Sequence, residues 1–530
     1  MKIYRHLLLI TINLFYFVSI LHAQIPPIQW SKCFGGSSSD YIVDAVECKA
    51  GGYVLGCNTT SSDGDVTGVH TLGDVWVVRI DINGNIIWEK SFGGSRGESL
   101  NYIEETIDSG YIFCALSSST DGDVSSHHGG VDTSDIWIVK INKHGIIEWE
   151  KSFGGSLFDS PTAIHQTSDG NFIISGFSNS YDGDLTYNHG DYDFWVLKIN
   201  AGGVLIWQKS YGGLGEEKAY SIIETDSLNF IIVGSANYND GDVNGIHNSM
   251  GYMDFWLLKI DSIGNIIWSN AFGGTLNDEA YAISKVSWGG YIVGGYARSH
   301  DGDVLNAYMG NNTSDYWIVK ISENGILEWQ KSFGGSNMDY CYTLEETSGS
   351  SLTMAGMSTS YDYDVTGNHG GIGDIWVVNI DSLGNIIWQN CWGGSSQETG
   401  GFVHQELDGS LYLGGNSNSL DGDVIGLHGG CDAWFVKLNN LNGIINNTST
   451  QKSFLLYPNP AQDNVEILNP FNGGEFKNVE YVKLFNLDGR LIFSINNSHY
   501  ISLSDISSGI YTLEVKCFNS KQSYFKLIKQ

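Results

Sequence analysis

Basic side chains are few. The 530 residues hold 27 Lys and Arg against 59 Asp and Glu, a formal net charge of −32. Such a surface repels nucleic acid and anionic membranes, suits a soluble secreted protein, and attracts cations. Cysteines number eight and form no Cys-x-x-Cys pair, so neither a zinc ribbon nor a redox pair is indicated. Their irregular spacing is compatible with one or two disulfides outside the cytoplasm, but a chain of this length needs no disulfide scaffold. The sequence also lacks a Gly-x-Ser-x-Gly elbow, a His-Glu-x-x-His pair, a phosphate loop and a dinucleotide fingerprint, so catalysis has little motif support. Proline is scarce too, at six residues beside 67 Gly, 16 Trp and 28 Tyr. Glycine and aromatics in that balance, at regular intervals, point to an all-β repeat protein.

Only one apolar run stands out. Leu7 to Leu21 follows Lys2 and Arg5 and precedes Ala23, so residues 1–23 read as a signal peptide that leaves Gln24 as the new N-terminus. The run is short for a membrane span, and no transmembrane segment is expected after cleavage.

From residue 24 to 440 one phrase returns seven times. A Trp is followed four residues later by an aromatic-Gly-Gly: Trp30, Trp88, Trp149, Trp207, Trp268, Trp329 and Trp388, spaced 58 to 61 residues apart. Asp-Gly-Asp follows, led by Asp63, Asp121, Asp182, Asp240, Asp301 and Asp421, with Asp362-Tyr363-Asp364 as the sixth and deviant copy. Asp-x-Trp closes the phrase at Trp76, Trp137, Trp195, Trp256, Trp317, Trp376 and Trp434. Each unit of about 60 residues contains four short β patterns, the last two joined by a turn such as Ile82-Asn83-Gly84. Four antiparallel strands of that length make a propeller blade. The chain enters on a fourth strand, Ile28-Gln29-Trp30, and leaves on a third, Trp434 to Leu438. The expected architecture is therefore a seven-bladed β-propeller whose N-terminal strand completes the seventh blade and removes the free edges. The segment from Trp76 to Trp88 resembles the repeat of quinoprotein-like propellers, a likeness that implies fold and no quinone chemistry.

Residues 441–453 read as a polar linker. Beyond it come Leu456-Tyr457-Pro458-Asn459-Pro460, then Asp488-Gly489-Arg490, then Gly509-Ile510-Tyr511. In that order they resemble the type A C-terminal sorting domain of Bacteroidetes type IX secretion substrates, over residues 454–530. The resemblance implies a small β-sandwich, a partner in the outer-membrane secretion machinery, and a secreted or surface-attached product.

For chemistry, the paired carboxylates are the first candidates. Asp63, Asp65, Asp121, Asp123, Asp182, Asp184, Asp240, Asp242, Asp301, Asp303, Asp421 and Asp423 offer oxygen to a hard cation such as Ca2+. Their recurrence in every unit favours a turn-capping role, with Asp bonding backbone and Gly supplying positive φ. A second acidic series, Asp40, Glu98, Asp159, Glu217, Asp278, Asp339 and Glu398, opens the first strand of each unit; backbone N–H groups of the neighbouring blade are the expected partners. Histidines near the loops (His70, His127, His128, His189, His247, His369, His428) read as exposed polar residues. Departures from symmetry are the better guide to function: Trp288, Trp392, Tyr363, Met250, Met253 and the His127-His128 pair. The expected function is non-catalytic binding or adhesion to an extracellular polymer such as a polysaccharide, or to a protein. The alternative is an extracellular carbohydrate-active hydrolase of the endoglucanase kind, which needs a carboxylate pair about 5 to 9 Å apart.

Overall fold

The computed structural model describes residues 25–440 apart from 71–72, 131, 248–249 and 309–312, and then 455–457, 464–468, 479–485, 490–496, 498, 500–504, 506–507, 509–517 and 522–529. The signal peptide and the linker read from the sequence lie outside the described residues. The chain divides into two units, 1–442 and 443–530.

The first unit is all-β and built from repeated four-stranded antiparallel sheets, a propeller-like arrangement. In the first sheet the strands, a to d, are Asp40–Glu47, Tyr53–Thr59, Asp74–Ile80 and Ile86–Phe92. Strand a of the next five is Glu98–Glu105, Asp159–Gln166, Glu217–Glu224, Asp278–Lys285 and Asp339–Thr347. The seventh sheet takes Glu398–Gln405, Leu411–Ser417 and Asp432–Leu438 as a to c, and the N-terminal strand Ile28–Phe34 pairs as its d.

Composition explains the gradient of burial within a sheet. Strand c, such as Asp-Val-Trp-Val-Val-Arg-Ile, is buried along its whole length, because both of its faces meet neighbouring sheets. In the first sheet, strand d is exposed or partly buried along most of its length and buried only at its last residue. The turn between them needs φ > 0 at one residue, and Gly84 supplies it at 72°. Asp81 fixes the turn by accepting from the N–H groups of Asn83 and Asn85, both at 2.8 Å.

The strand c tryptophans are fully buried, and each indole N–H donates to strand d. Trp76 donates to Glu89 at 2.9 Å and Trp195 to Gln208 at 2.9 Å. Trp434 finds the same kind of acceptor in Ser31 of the N-terminal strand, at 2.8 Å. The first strands of consecutive sheets lie against one another, strand a of the seventh against strand a of the first included. Each also carries a register shift that leaves one residue out of the ladder: Val43, Asn101, Thr162, Tyr220, Tyr281, Tyr342 and Gly401 in turn. A bulge of this kind re-aims a side chain, and these seven positions set up the candidate site.

In the second unit, one sheet holds Leu455–Tyr457, Asn464–Leu468 and Tyr500–Ser502. The other orders Leu491–Asn496, Val479–Phe485, Gly509–Cys517 and Gln522–Lys529. Val465 and Ile501 of one share an apolar cluster with Val482, Leu484, Leu513 and Val515 of the other. No helix among the described residues is long and apolar enough to cross a membrane. Seven described cysteines, Cys33, Cys48, Cys57, Cys114, Cys341, Cys391 and Cys431, are free and buried, so the sequence's allowance for disulfides finds no bridge among them.

Candidate functional site

The Asp-Gly-Asp carboxylates hold the chain links between sheets. The first Asp accepts the N–H of the residue after each Gly-Gly: Asp63 from Ser37 at 2.7 Å, Asp121 from Ser95 at 2.8 Å, Asp182 from Ser156 at 2.7 Å, Asp240 from Leu214 at 2.9 Å, Asp301 from Thr275 at 2.9 Å and Asp421 from Ser395 at 2.7 Å. The second accepts the N–H of the first Gly: Asp65 from Gly35, Asp123 from Gly93, Asp184 from Gly154, Asp242 from Gly212, Asp303 from Gly273 and Asp423 from Gly393, at 3.1 to 3.4 Å. Each loop thereby grips the link arriving from the preceding sheet. Among the described residues no three His, Cys, Asp or Glu side chains come together as a metal centre.

The second acidic series meets backbone, though the donor is the glycine four residues earlier in the link that enters the same strand. Asp40 accepts from Gly36 N–H at 2.7 Å, Glu98 from Gly94 at 2.9 Å, and the other five do the same from Gly155, Gly213, Gly274, Gly335 and Gly394. All seven are buried. Each also faces the buried Asp of the preceding sheet's Asp-x-Trp, as Glu98 faces Asp74 and Asp339 faces Asp315. These are inter-sheet seams.

The histidines differ from the sequence reading. His70, His128, His189, His247, His369 and His428 each place Nδ1 on that Asp, Asp74, Asp135, Asp193, Asp254, Asp374 and Asp432 in turn, at 2.6 to 2.8 Å. They are partners of buried carboxylates, and at the fifth sheet the N–H of Tyr308 serves Asp315 instead, at 2.7 Å. Of the asymmetric residues named from sequence, Trp392 is buried in the core and Trp288 packs against it in part, whereas Met250 is exposed. His127 is held by Thr133 O at 3.2 Å.

The break in symmetry that matters lies on the first strands. The bulge positions of the fourth, fifth and sixth sheets are all tyrosine, and they form one row. Tyr220 and Tyr281 have ring centroids 4.9 Å apart, Tyr281 and Tyr342 5.6 Å. Tyr296 and Tyr340 extend the row, 4.9 Å apart, and Tyr340 lies 9° from the plane of Tyr342. Glu279 sits within it and accepts from Tyr296 at 2.6 Å, Tyr281 at 3.3 Å and Tyr220 at 3.5 Å. Arg298 lies 5.8 Å from the Tyr296 ring and donates to Tyr340 at 3.5 Å, leaving its buried Nε without a partner. On the third-sheet side Lys218 stands over Phe177 at 5.5 Å and Tyr192 at 5.2 Å, with Phe158 beside both rings. The same bulge positions elsewhere carry Val43, Asn101, Thr162 and Gly401. The result is an arc of half-buried aromatic rings, with Tyr296 buried among them and both charge signs beside them, on one side of the repeat. Sequence reasoning missed it. The signal was present as Tyr at one repeat position in three consecutive units, but that position lies outside the three landmark motifs.

Residues 455–530 match the family model described as a secretion system C-terminal sorting domain. This tail supports a type IX secretion substrate and indicates export to a secreted or cell-surface location. No curated protein matches the chain. Similar solved structures include a complex of BBS1N with ARL6DN (9% identity, 78% of this chain and 98% of that one, TM-score 0.40). Another is Drosophila Plexin A in complex with Semaphorin 1b (9% identity, 78% and 88%, TM-score 0.39). A third is the extracellular domain of a putative hybrid two component system, BT4673, from B. thetaiotaomicron (12% identity, 93% and 75%, TM-score 0.23).

Proposed function

We propose that the seven sheets are the blades of a closed propeller sealed by the N-terminal strand, and that the exported chain is a non-catalytic binding or adhesion module. Its ligand is an extracellular polymer such as a polysaccharide, held on the tyrosine arc. Residues 1–23 are removed on export and 441–453 tether the sorting domain.

The arc carries this reading. A symmetric repeat that needs only to fold has no use for a single row of half-buried tyrosines across three first strands. Tyrosine offers an apolar face and a hydroxyl together, which suits the C–H faces and hydroxyls of a pyranose. Arg298 and Glu279 add a donor and an acceptor beside the rings.

The test is retention of the mature chain on a panel of plant, algal and bacterial polysaccharides, with Tyr281→Ala and Tyr342→Ala beside it. Each substitution is expected to weaken retention about tenfold, about 1.4 kcal/mol. Equal retention of both variants removes the arc from the reading. Release of reducing ends that disappears in Glu279→Gln replaces binding by the hydrolase alternative.

A further inference from the structure

We propose that Glu217 is held as a neutral carboxylic acid sharing one proton with Asp193, and that this proton locks the joint between the third and fourth sheets beside the tyrosine arc. The observation is a pair of orphaned oxygens. Glu217 and Asp193 are both fully buried. Glu217 Oε2 accepts from Gly213 N–H at 2.7 Å, and Oε1 has no partner. Asp193 Oδ2 accepts from the N–H and Nδ1 of His189 at 2.9 and 2.6 Å, and Oδ1 has no partner.

The unpartnered Oδ1 recurs at Asp74, Asp135, Asp315, Asp374 and Asp432, so what sets this joint apart is the acid of the first strand, which elsewhere is supplied with hydroxyls. Asp40 takes hydroxyls from Thr59 and Ser61, Asp159 from Ser178 and Ser180, and Asp339 from Ser358 and Ser360. In the fourth sheet the corresponding residues, 19 and 21 positions after the acid, are Ala236 and Tyr238. The two acids close on one glycine: a Cβ on Gly212 would stand 2.4 Å from Glu217 Oε2 and 2.7 Å from Asp193 Oδ1. Two ionised carboxylates in that position repel, and neither orphan has a donor. A single shared proton removes one charge and supplies the donor.

The surroundings favour the protonated form. From the third sheet the pair meets Asp193's own partner His189, whose Nε2 is 4.0 Å from Asp242. From the fourth it meets Asp240 and, in the chain, Glu216, so carboxylates dominate the surroundings of the pair. Burial first, then Asp193, Asp240 and Glu216, push Glu217 up to about 8 against the Gly213 N–H. Glu216 and Lys218 flank Glu217 and pair with each other, and Lys218 carries the contact to Phe177 and Tyr192. Loss of the proton therefore loosens the joint at the edge of the arc. The consequence for ligand rests on the reading above; the lock itself does not.

Hydrogen exchange by mass spectrometry on the full mature chain, without ligand, reads the lock directly. After correction for intrinsic rates, opening of Asp193–Ile199 and Glu217–Glu224 is expected to rise about tenfold per pH unit up to about pH 8 and then level. Glu217→Gln keeps a donor without the charge, so its opening is expected to stay low and flat. Ala236→Ser restores a hydroxyl and is expected to move the wild-type midpoint down by about one pH unit. Infrared difference spectra of the wild type between about pH 7 and pH 9, where Asp44, Asp278 and Asp315 are already mostly ionised, supply a measurement independent of variant folding: a remaining protonated carboxyl C=O band that disappears above about pH 8. Opening that is flat with pH in the wild type, or equally steep in Glu217→Gln, overturns the proposal. If polymer retention fails while the exchange profile holds, the arc reading is wrong and the lock stands.

Discussion

Tyr308 and Tyr363 stack with ring centroids 4.8 Å apart and 17° between their planes, and each stands where the repeat elsewhere has another residue. Tyr308 takes the place of the histidine that serves the buried Asp. Tyr363 takes the place of the glycine in Asp-Gly-Asp and keeps that glycine's backbone, at φ 53° against 55° to 68° for Gly64, Gly122, Gly183, Gly241, Gly302 and Gly422. Left-handed backbone costs a side chain roughly 1 kcal/mol. Both rings remain exposed, at 41% and 65%, so packing returns little of it. Tyr363→Gly is expected to stabilise the chain by up to about 1 kcal/mol in urea denaturation. A loss of stability instead would assign the stack a larger energy than exposed aromatic pairs usually have.

The Asp-Gly-Asp oxygens are used by backbone, which bears on metal. In Asp182→Ala the N–H of Ser156 loses its 2.7 Å partner. The expected cost is about 1–2 kcal/mol, because that donor is exposed and water replaces part of the bond. Chelation with EDTA is expected to leave the melting temperature of the wild type unchanged. A fall on chelation, restored by calcium, would place these oxygens on a cation.

Buried acids set the pH response. Burial is the leading cause that raises Asp44 to about 7, Asp278 to about 7, Asp315 to about 7 and Asp339 to about 6. Such acids bind more protons in the folded chain than in the unfolded one. Their stabilising effect is complete below the ordinary carboxylate range, about 4, and is lost as pH rises from there through about 6 to 7. His404 acts in the same direction. Burial pulls it down, but Glu345 and Glu47 outweigh burial and raise it to about 10. Its contribution is complete below about 6.5 and fades toward 10. Asp108 opposes this only in acid: against its own burial, Thr106, Gly110 and Lys140 hold it near 2. Calorimetry is expected to give a melting temperature that peaks near about pH 5 and declines steadily to pH 9. A curve that is flat or rises over that range contradicts the assignment.

The strands and the links between sheets were legible in the sequence because they recur. Trp76, Gly84 and Asp63 each answer a local demand, for burial, for positive φ and for an acceptor, and the same demand returns in every unit. The paired register of Ile28–Phe34 with Asp432–Leu438 follows from the odd strand at each end. What recurrence hides is what a landmark contacts. His189 reads as a loop residue until the fold brings it onto Asp193. Tyr220, Tyr281 and Tyr342 are about 61 residues apart and meet only because first strands of consecutive sheets lie together. The absence of hydroxyls around Glu217 is equally visible in Ala236, but only once the acid's partners in other sheets are known.

The N-terminal strand gives the last prediction. Ile28–Phe34 covers the edge of Asp432–Leu438, which is buried along its length, and Ser31 accepts the Trp434 indole N–H. Removing residues 24–34 leaves that edge with unpaired backbone groups, an apolar face uncovered and one indole N–H unpartnered. An exposed edge of this kind is a template for association with other chains. The shortened protein is expected to melt well below the full chain and to aggregate on concentration, both measurable by light scattering during a thermal ramp. A synthetic peptide of residues 24–36 supplied in trans should restore part of the loss, because pairing and burial are the same whether or not the strand is covalently joined. If the shortened chain melts with the full one and does not aggregate, the seventh sheet does not need this strand.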